Sequence, residues 1–212
     1  MLNWNLYVVI DRGIVGDNDL SEVARLAISG GADVIQLRDK TSSTKSLLRS
    51  AYSLRVLTLR ANIPFIIDDR VDVAIAAEAD GVHLGDEDLP IRTARKLLGK
   101  EKIIGRSTHS LKEALIAQSE GADYISTGPI FQSPLKANLA ARGIGLVTEV
   151  AHNIVIPFVS IGGINEGNVE EVLKAGAEII AVVRAVVGSG NISGAARRLK
   201  ERIRKHKEGL GR

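Results

Sequence analysis

The sequence predicts a closed eight-stranded α/β barrel, a (β/α)8 TIM barrel, and three observations carry that prediction. Short runs rich in Val, Ile and Leu alternate with stretches of helical apolar spacing, eight of each, along 212 residues. Hydrophobic residues make up 45% of the chain and aromatics only 3%, a composition that suits parallel strands covered by helices. An internal device also recurs. Gly31-Ala32-Asp33, Glu78-Ala79-Asp80, Gly121-Ala122-Asp123 and Gly176-Ala177-Glu178 each precede an even-numbered strand. One device in one register at four places points to four similar quarters, which a doubly wound open sheet would not require. No linker divides the chain, so one barrel domain is expected over 1–212, with a basic helix and tail near 192–212.

The elements follow in order. Leu6 to Ile10 is a β-branched run closed by Asp11, the first strand. Leu20 to Ser29 has helical spacing and stops at Gly30-Gly31. Val34 to Leu37 is the second strand, and Lys45 to Arg60 a helix with Leu47, Leu48, Ala51, Leu54 and Leu57 on its inner face. Phe65 to Ile67, after Pro64, is the third strand, and Val71 to Glu78 a short helix. Gly81 to Leu84 is the fourth strand, and Pro90 opens a helix over Ile91 to Leu98. Lys102 to Gly105 is the fifth strand, ending at Arg106-Ser107, and Leu111 to Glu120 the next helix. Tyr124 to Ser126 is the sixth strand. Gly128 to Gly143 lacks periodicity, and a loop that long in a compact domain is usually functional or mobile. Leu146 to Asn153 is a helix, Pro157 to Ile161 the seventh strand, Val169 to Ala175 a helix, Ile179 to Val183 the eighth strand, and Ile192 to Lys207 the last helix. Trp4 is expected to pack over the barrel bottom.

Composition excludes several function classes. Net charge is +3 and the excess lies in the run from Arg197 to Lys207. No aromatics interleave with those basic residues, which argues against single-stranded nucleic acid. Cysteine is absent, so no disulfide or thiolate metal site exists. Met1 to Asn5 is polar, without the apolar core of a signal peptide, and no apolar run reaches membrane-spanning length. A soluble cytoplasmic protein that binds small molecules is expected, with homo-oligomerisation left open.

In such a barrel the chemistry lies where strands end. Gln36, Arg38 and Lys40 alternate along the second strand and its exit, so they face one side as an anion clamp. The third strand delivers Asp68 and Asp69, and the loop after the fourth delivers Asp88. The fifth delivers Ser107 and His109, and the long loop Ser133 and Lys136. The seventh delivers Gly162-Gly163 and the eighth Arg184. Mg²⁺ takes one or two carboxylates plus phosphate oxygens, so Asp69 and Asp88 beside a polyphosphate suit it. Arg38, Lys40 and Lys136 would neutralise the rest of that polyphosphate. Gly162-Gly163 occupies the usual barrel phosphate position. Two phosphate sites imply two phosphorylated reactants, or one bearing phosphate at each end. Local readings compete: Asp68-Asp69-Arg70 as a turn with its own ion pair, Asp88 as a helix cap, His109 bonded to a loop carbonyl, Gly162-Gly163 as a turn, and His83 and His152 as structural histidines.

As a set these residues resemble the thiamine-phosphate synthase and thiazole tautomerase superfamily over nearly the whole chain. The motifs are Leu6-Tyr7-Val8-Val9, Gln36-Leu37-Arg38-Asp39-Lys40, Asp69-Arg70, Asp80-Gly81-Val82-His83-Leu84-Gly85 with Asp88, Gly105-Arg106-Ser107-Thr108-His109-Ser110, Gly121-Ala122-Asp123-Tyr124 with Gly128-Pro129-Ile130-Phe131, and Ile161-Gly162-Gly163-Ile164. The resemblance implies coupling of an aminopyrimidine diphosphate to a thiazole phosphate with release of pyrophosphate. It implies that Arg38, Lys40, Ser107 and Lys136 hold the diphosphate, that Asp69 and Asp88 bind Mg²⁺, and that Gln36 faces the pyrimidine. Three positions depart from the family pattern. Asp68 stands where Asn is usual, Ser133-Pro134-Leu135-Lys136 where Thr-x-Thr-Lys is usual, and Arg184 where a Ser commonly touches the thiazole phosphate. A thiazole tautomerase using His109 as acid–base group is the alternative within the superfamily. A non-catalytic barrel that binds a phosphorylated ligand is the alternative outside it.

Overall fold

A computed structural model describes residues 2–132 and 140–209. Its strands are β1 (Leu6–Asp11), β2 (Val34–Arg38), β3 (Phe65–Asp68), β4 (Gly81–Leu84), β5 (Ile103–Thr108), β6 (Tyr124–Thr127), β7 (Phe158–Ser160) and β8 (Ile179–Val182). Each pairs in parallel with the next, and β8 pairs with β1, so the sheet closes into the expected barrel. The helices among the described residues are α1 (Arg12–Val15), α2 (Leu20–Ser29), α3 (Thr44–Ala61), α4 (Val71–Ala76), α5 (Ile91–Leu98), α6 (Leu111–Ser119), α7 (Gly143–Asn153), α8 (Val169–Lys174), α9 (Arg184–Val187) and α10 (Ile192–Gly209).

Strict one-to-one alternation needs correction. Two single-turn helices, α1 and α9, follow β1 and β8, and four residues are too few to show a helical period. Arg184 therefore opens α9 instead of ending β8. β5 runs on to Thr108, so Ser107 is a strand residue whose side chain direction the pleat fixes.

The recurring tripeptide is a helix stop joined to a strand clamp. Gly31, Gly121 and Gly176 have φ of 101°, 91° and 106°. The alanines that follow donate back to Ala27, Ala117 and Val172 carbonyls, in the left-handed stop that ends a helix. The acid then turns to the start of the preceding strand. Asp33 accepts from the Asn5 and Leu6 amides at 2.8 and 2.9 Å, Asp80 from Phe65 at 2.8 Å, and Asp123 from Ile104 at 2.7 Å. Each carboxylate also meets a helix cation: Lys200, Arg55 and Arg95 respectively. All of this lies at the N-terminal end of the strands, the face that serves stability.

Side chains alternate strictly along each strand. Leu6, Val8 and Ile10 of β1 pack outward in the layer shared with the helices, whereas Tyr7 and Val9 join Trp4, Val34, Ile66, Tyr124, Val159, Ile179 and Ala181 inside the barrel. Trp4 does close the bottom of that interior, edge-on to Tyr7 and Tyr124 at 5.8 and 5.4 Å between ring centroids. Gly105 makes room for this stack, since a Cβ there would stand 2.2 Å from the Tyr124 ring.

Glu78 holds the same left-handed position with a Cβ, at φ 53°, and its side chain is exposed. The conformation costs an L-residue about 1–2 kcal/mol, part of which glycine gives back as chain entropy. Glu78→Gly should raise stability by up to about 1 kcal/mol, read as a higher denaturant midpoint at unchanged slope. A lower midpoint would show that the Glu78 side chain contributes more than its backbone costs.

Burial pushes both interior phenols well above their ordinary pKa, Tyr7 with help from Tyr124 and both with help from the Asp68 charge. In the unfolded chain they ionise near about 10. Above that pH the unfolded state holds fewer protons than the folded one, so stability falls as pH rises. Each phenol should add a loss of about 1.4 kcal/mol per pH unit above that point. Denaturation midpoints measured at rising alkaline pH should fall more steeply for the natural chain than for a Tyr7→Phe, Tyr124→Phe double variant. Equal slopes would mean that the phenols ionise in place.

Candidate active site

At the C-terminal mouth of the barrel lies a cavity of about 560 Å³. The structure brings Gln36, Arg38, Lys40, Asp68, Asp69, Asp88, Ser107, His109, Gly162, Gly163 and Arg184 together around it. Ser133 and Lys136 lie outside the described residues.

The anion clamp is already engaged by acids. Asp11 is level with Arg38 in the β1–β2 register and is 3% exposed, and its carboxylate pairs with the Arg38 guanidinium. Arg38 Nε also meets Asp68 Oδ2 at 3.3 Å. Lys40 pairs with Asp69 and stands 3.8 Å from Asp68. Among the described lining residues, three cations (Arg38, Lys40, Arg184) face six carboxylates (Asp11, Asp68, Asp69, Asp86, Glu87, Asp88).

Asp69 is more than a turn residue. Its φ is 58°, and its amide donates to the His83 carbonyl at 2.8 Å, continuing the β3–β4 pairing beyond the strand. A non-glycine residue held there costs about 1–3 kcal/mol, and such strain gathers at functional positions. Arg70 turns away to Asp72 and Thr44. Asp88 does not cap α5, whose flanking Pro90 has no side-chain cap; Asp88 accepts from the Gly85 amide at 2.6 Å and holds its own loop. His109 bonds a loop carbonyl: Nδ1 donates to Gly128, and its own amide donates to Glu113 at 2.6 Å. Asp86 lies 3.5 Å from Arg106 and 3.8 Å from His109 Nε2.

Gly162 and Gly163 have φ of 103° and 66°. A Cβ on Gly162 would stand 2.5 Å from Pro129, and one on Gly163 2.7 Å from Phe131. The segment after β6 is laced to them, with Ile130 donating to Ile161 and Phe131 to Gly162. Asn165 and Asn168 both donate to the Gly163 carbonyl, at 3.2 and 3.0 Å. Among the described residues neither glycine amide has a hydrogen-bond acceptor, and amides so placed are suited to an anion. Arg184 opens α9 beside them, exposed and without an ion pair among the described residues.

Sequence reasoning missed three participants. Asp11 read as the end of a strand, but its register neighbour Arg38 makes it part of the clamp. His83, expected to be structural, lines the cavity with Nε2 3.0 Å from Ser107 Oγ. Ser126 also lines it, 3.3 Å from the same nitrogen. The usable signal was parity: Ser126 lies two residues after the inward Tyr124. His152 is remote from the cavity, with Nδ1 donating to the Thr148 carbonyl on α7.

Cations, carboxylates and free amides on one rim suit a ligand with phosphate at two places. The donor set also suits a hard divalent cation, because Asp69 and Asp88 offer only oxygen; Lys40, which pairs with Asp69, would have to give way to it. Among the described residues, no three His, Cys, Asp or Glu side chains converge as a ready metal cage. Any Mg²⁺ here would need oxygens from a ligand.

Comparison with known proteins shows the family. The family model "Thiamine monophosphate synthase" matches residues 6–186. The thiamine-phosphate synthase of Chloroflexus aurantiacus is 46% identical over 201 residues, 94% of this chain and 93% of that protein. The thiamine-phosphate synthase of Methanocella arvoryzae is 45% identical over 207 residues, 97% and 98% of the two. The solved thiamine phosphate pyrophosphorylase of Pyrococcus furiosus superposes with a TM-score of 0.89 at 39% identity, covering 96% of each chain. With the closed barrel and these relatives in agreement, the chain belongs to the thiamine monophosphate synthase family.

Proposed function

We propose that this chain couples an aminopyrimidine methyl diphosphate to a thiazole phosphate and releases pyrophosphate. The observation that carries the reading is the two-ended site: a cation and carboxylate cluster on β2, β3 and the β4 loop, and a glycine pair with Arg184 on the β7–β8 side. The bond between the pyrimidine methylene and the diphosphate oxygen breaks, and the thiazole ring nitrogen forms the new bond to that carbon. The pyrimidine ring itself stabilises positive charge on the methylene, so the protein need mainly stabilise the leaving group.

Arg38, Lys40 and Ser107 bind the diphosphate in this reading, and Lys136 and Ser133 join from the segment after β6. Gln36 faces the pyrimidine. Asp69 and Asp88 are the Mg²⁺ ligands, and the charge count supports a metal. Among the described lining residues six carboxylates stand against three cations, and even with Lys136 added the carboxylates outnumber the cations and would repel a polyanion. Mg²⁺ would supply positive charge to the diphosphate oxygens. Arg38 and Lys40 then exchange carboxylate partners for phosphate. Gly162, Gly163 and Arg184 hold the thiazole phosphate. His109, tied to the Gly128 carbonyl, orders the loop and takes no part in proton transfer. No helix among the described residues is long and apolar enough to cross a membrane. Phosphorylated substrates and a cysteine-free chain support a cytoplasmic setting.

The test is direct. The protein, Mg²⁺ and both phosphorylated heterocycles should give coupled product and pyrophosphate in equal amounts; absence of product would sink the reading. Asp69→Ala or Asp88→Ala should abolish Mg²⁺-dependent turnover while circular dichroism stays unchanged, and full turnover in either variant removes that residue from the metal site. Arg184→Ala should raise KM for the thiazole phosphate roughly 10- to 150-fold, the worth of a charge-assisted bond of about 1.5–3 kcal/mol. KM for the diphosphate should stay within about twofold on the same scale. A thiazole KM that does not move would make Arg184 a bystander.

A further inference from the structure

One hydrogen-bond chain crosses the barrel beneath the site, and its direction is determined. Asp68, between Arg38 and Lys40, is a carboxylate that can only accept. Gln36 Nε2 therefore donates to Asp68 Oδ1, at 2.5 Å, and Gln36 Oε1 faces the other way. That oxygen accepts from the Tyr7 hydroxyl at 2.8 Å. Tyr7 has then spent its only hydrogen, so across the 2.9 Å contact between the phenols Tyr124 must donate to Tyr7. Tyr124 has then spent its own, so at 2.9 Å it accepts from His83 Nδ1. His83 is thereby fixed with hydrogen on Nδ1. In the neutral ring Nε2 is an acceptor with one lone pair. Two hydroxyls compete for it, Ser107 at 3.0 Å and Ser126 at 3.3 Å.

We propose that Ser126 is a positioning residue for the coupling reaction: it supplies the hydrogen that His83 Nε2 requires, and so frees the Ser107 hydroxyl to donate to the diphosphate. Without Ser126, one Ser107 hydrogen must serve two acceptors, and a buried acceptor left unmade is costly. The opposite tautomer would give the opposite result, because a hydrogen on Nε2 would donate to Ser107 and leave that hydroxyl free whatever stood at 126. Asp68 sets the choice. A carboxylate there can only accept, whereas an Asn in its place could turn either end toward Gln36. The Asp68 carboxylate therefore gives the chain a single direction.

The serine assignment rests on the proposed coupling reaction, and the tautomer does not, so the two are read separately. Histidine ring ¹⁵N signals of the whole ligand-free protein at about pH 8, above the ordinary imidazole pKa, should show His83 protonated at Nδ1 and bare at Nε2. The signals are identified by their loss in His83→Gln. Tyr124→Phe should move the hydrogen to Nε2, and Asp68→Asn should make a second tautomer appear. Hydrogen on Nε2 in the natural chain, or no change in either variant, overturns the relay whatever the protein catalyses. In the coupling assay Ser126→Ala should raise KM for the diphosphate roughly 3- to 10-fold, the worth of one neutral hydrogen bond. KM for the thiazole phosphate should not move. In a Ser107→Ala background, Ser126→Ala should add nothing. Additive effects, or an equal rise in both KM values, overturn the positioning role.

Discussion

Everything at the mouth of this barrel depends on strand register, and register is pinned at the opposite end. A one-residue slip of β2 would turn Gln36 and Arg38 into the helix layer and Ile35 and Leu37 into the cavity. The carboxylates of Asp33, Asp80 and Asp123 oppose such a slip. Asp33 and Asp80 bind the first amide of the strand beside their own and Asp123 the second, and each is held by a cation on a helix. The acid thus ties an odd strand, an even strand and a helix at one point. A partly buried amide left without that acceptor would cost about 1–3 kcal/mol. The rim that lines the cavity is therefore positioned by residues that never approach it.

With register set, parity decides what the cavity contains. Tyr7, Gln36, Asp68, His83, Ser107, Tyr124 and Ser126 come from six strands, and the pleat points them all to one interior. Buried polar groups at that density are tolerable only when they satisfy one another. Here they do so in sequence, from an anchored carboxylate to a histidine on the cavity wall. The large apolar payload that a barrel interior usually carries is confined below, where Trp4 closes the stack.

The fold was legible because short apolar runs alternate with stretches of helical spacing and the helix-stop device repeats. The site was legible as a list of strand ends, and the residues expected there that lie among the described ones do line one cavity. Illegible features share a physical cause: each depends on a neighbour far away in the chain. Asp11 looks ordinary until the β1–β2 register sets it beside Arg38. His83 looked structural, and Ser126 passed as a strand residue, because the role of each depends on a hydrogen bond to another strand. The helices α1 and α9 are single turns, stabilised where they lie by packing of Val15, Val186 and Val187 and not by any local period.

The electrostatics of the rim follow from the same pairing. Read along the chain, Gln36 to Lys40 is a cationic clamp, but the closed barrel sets Asp11, Asp68 and Asp69 around it. Without ligand, those acids keep the cations ordered and partly desolvated, so less side-chain entropy remains to be lost when phosphate replaces carboxylate. In the proposed reaction that exchange would release negative charge, which a divalent cation bound with the diphosphate would meet. Among the described residues, preorganised cations and a surplus of carboxylates are thus two sides of one arrangement, which on the proposed reading would favour a polyphosphate that brings its own metal over a bare anion.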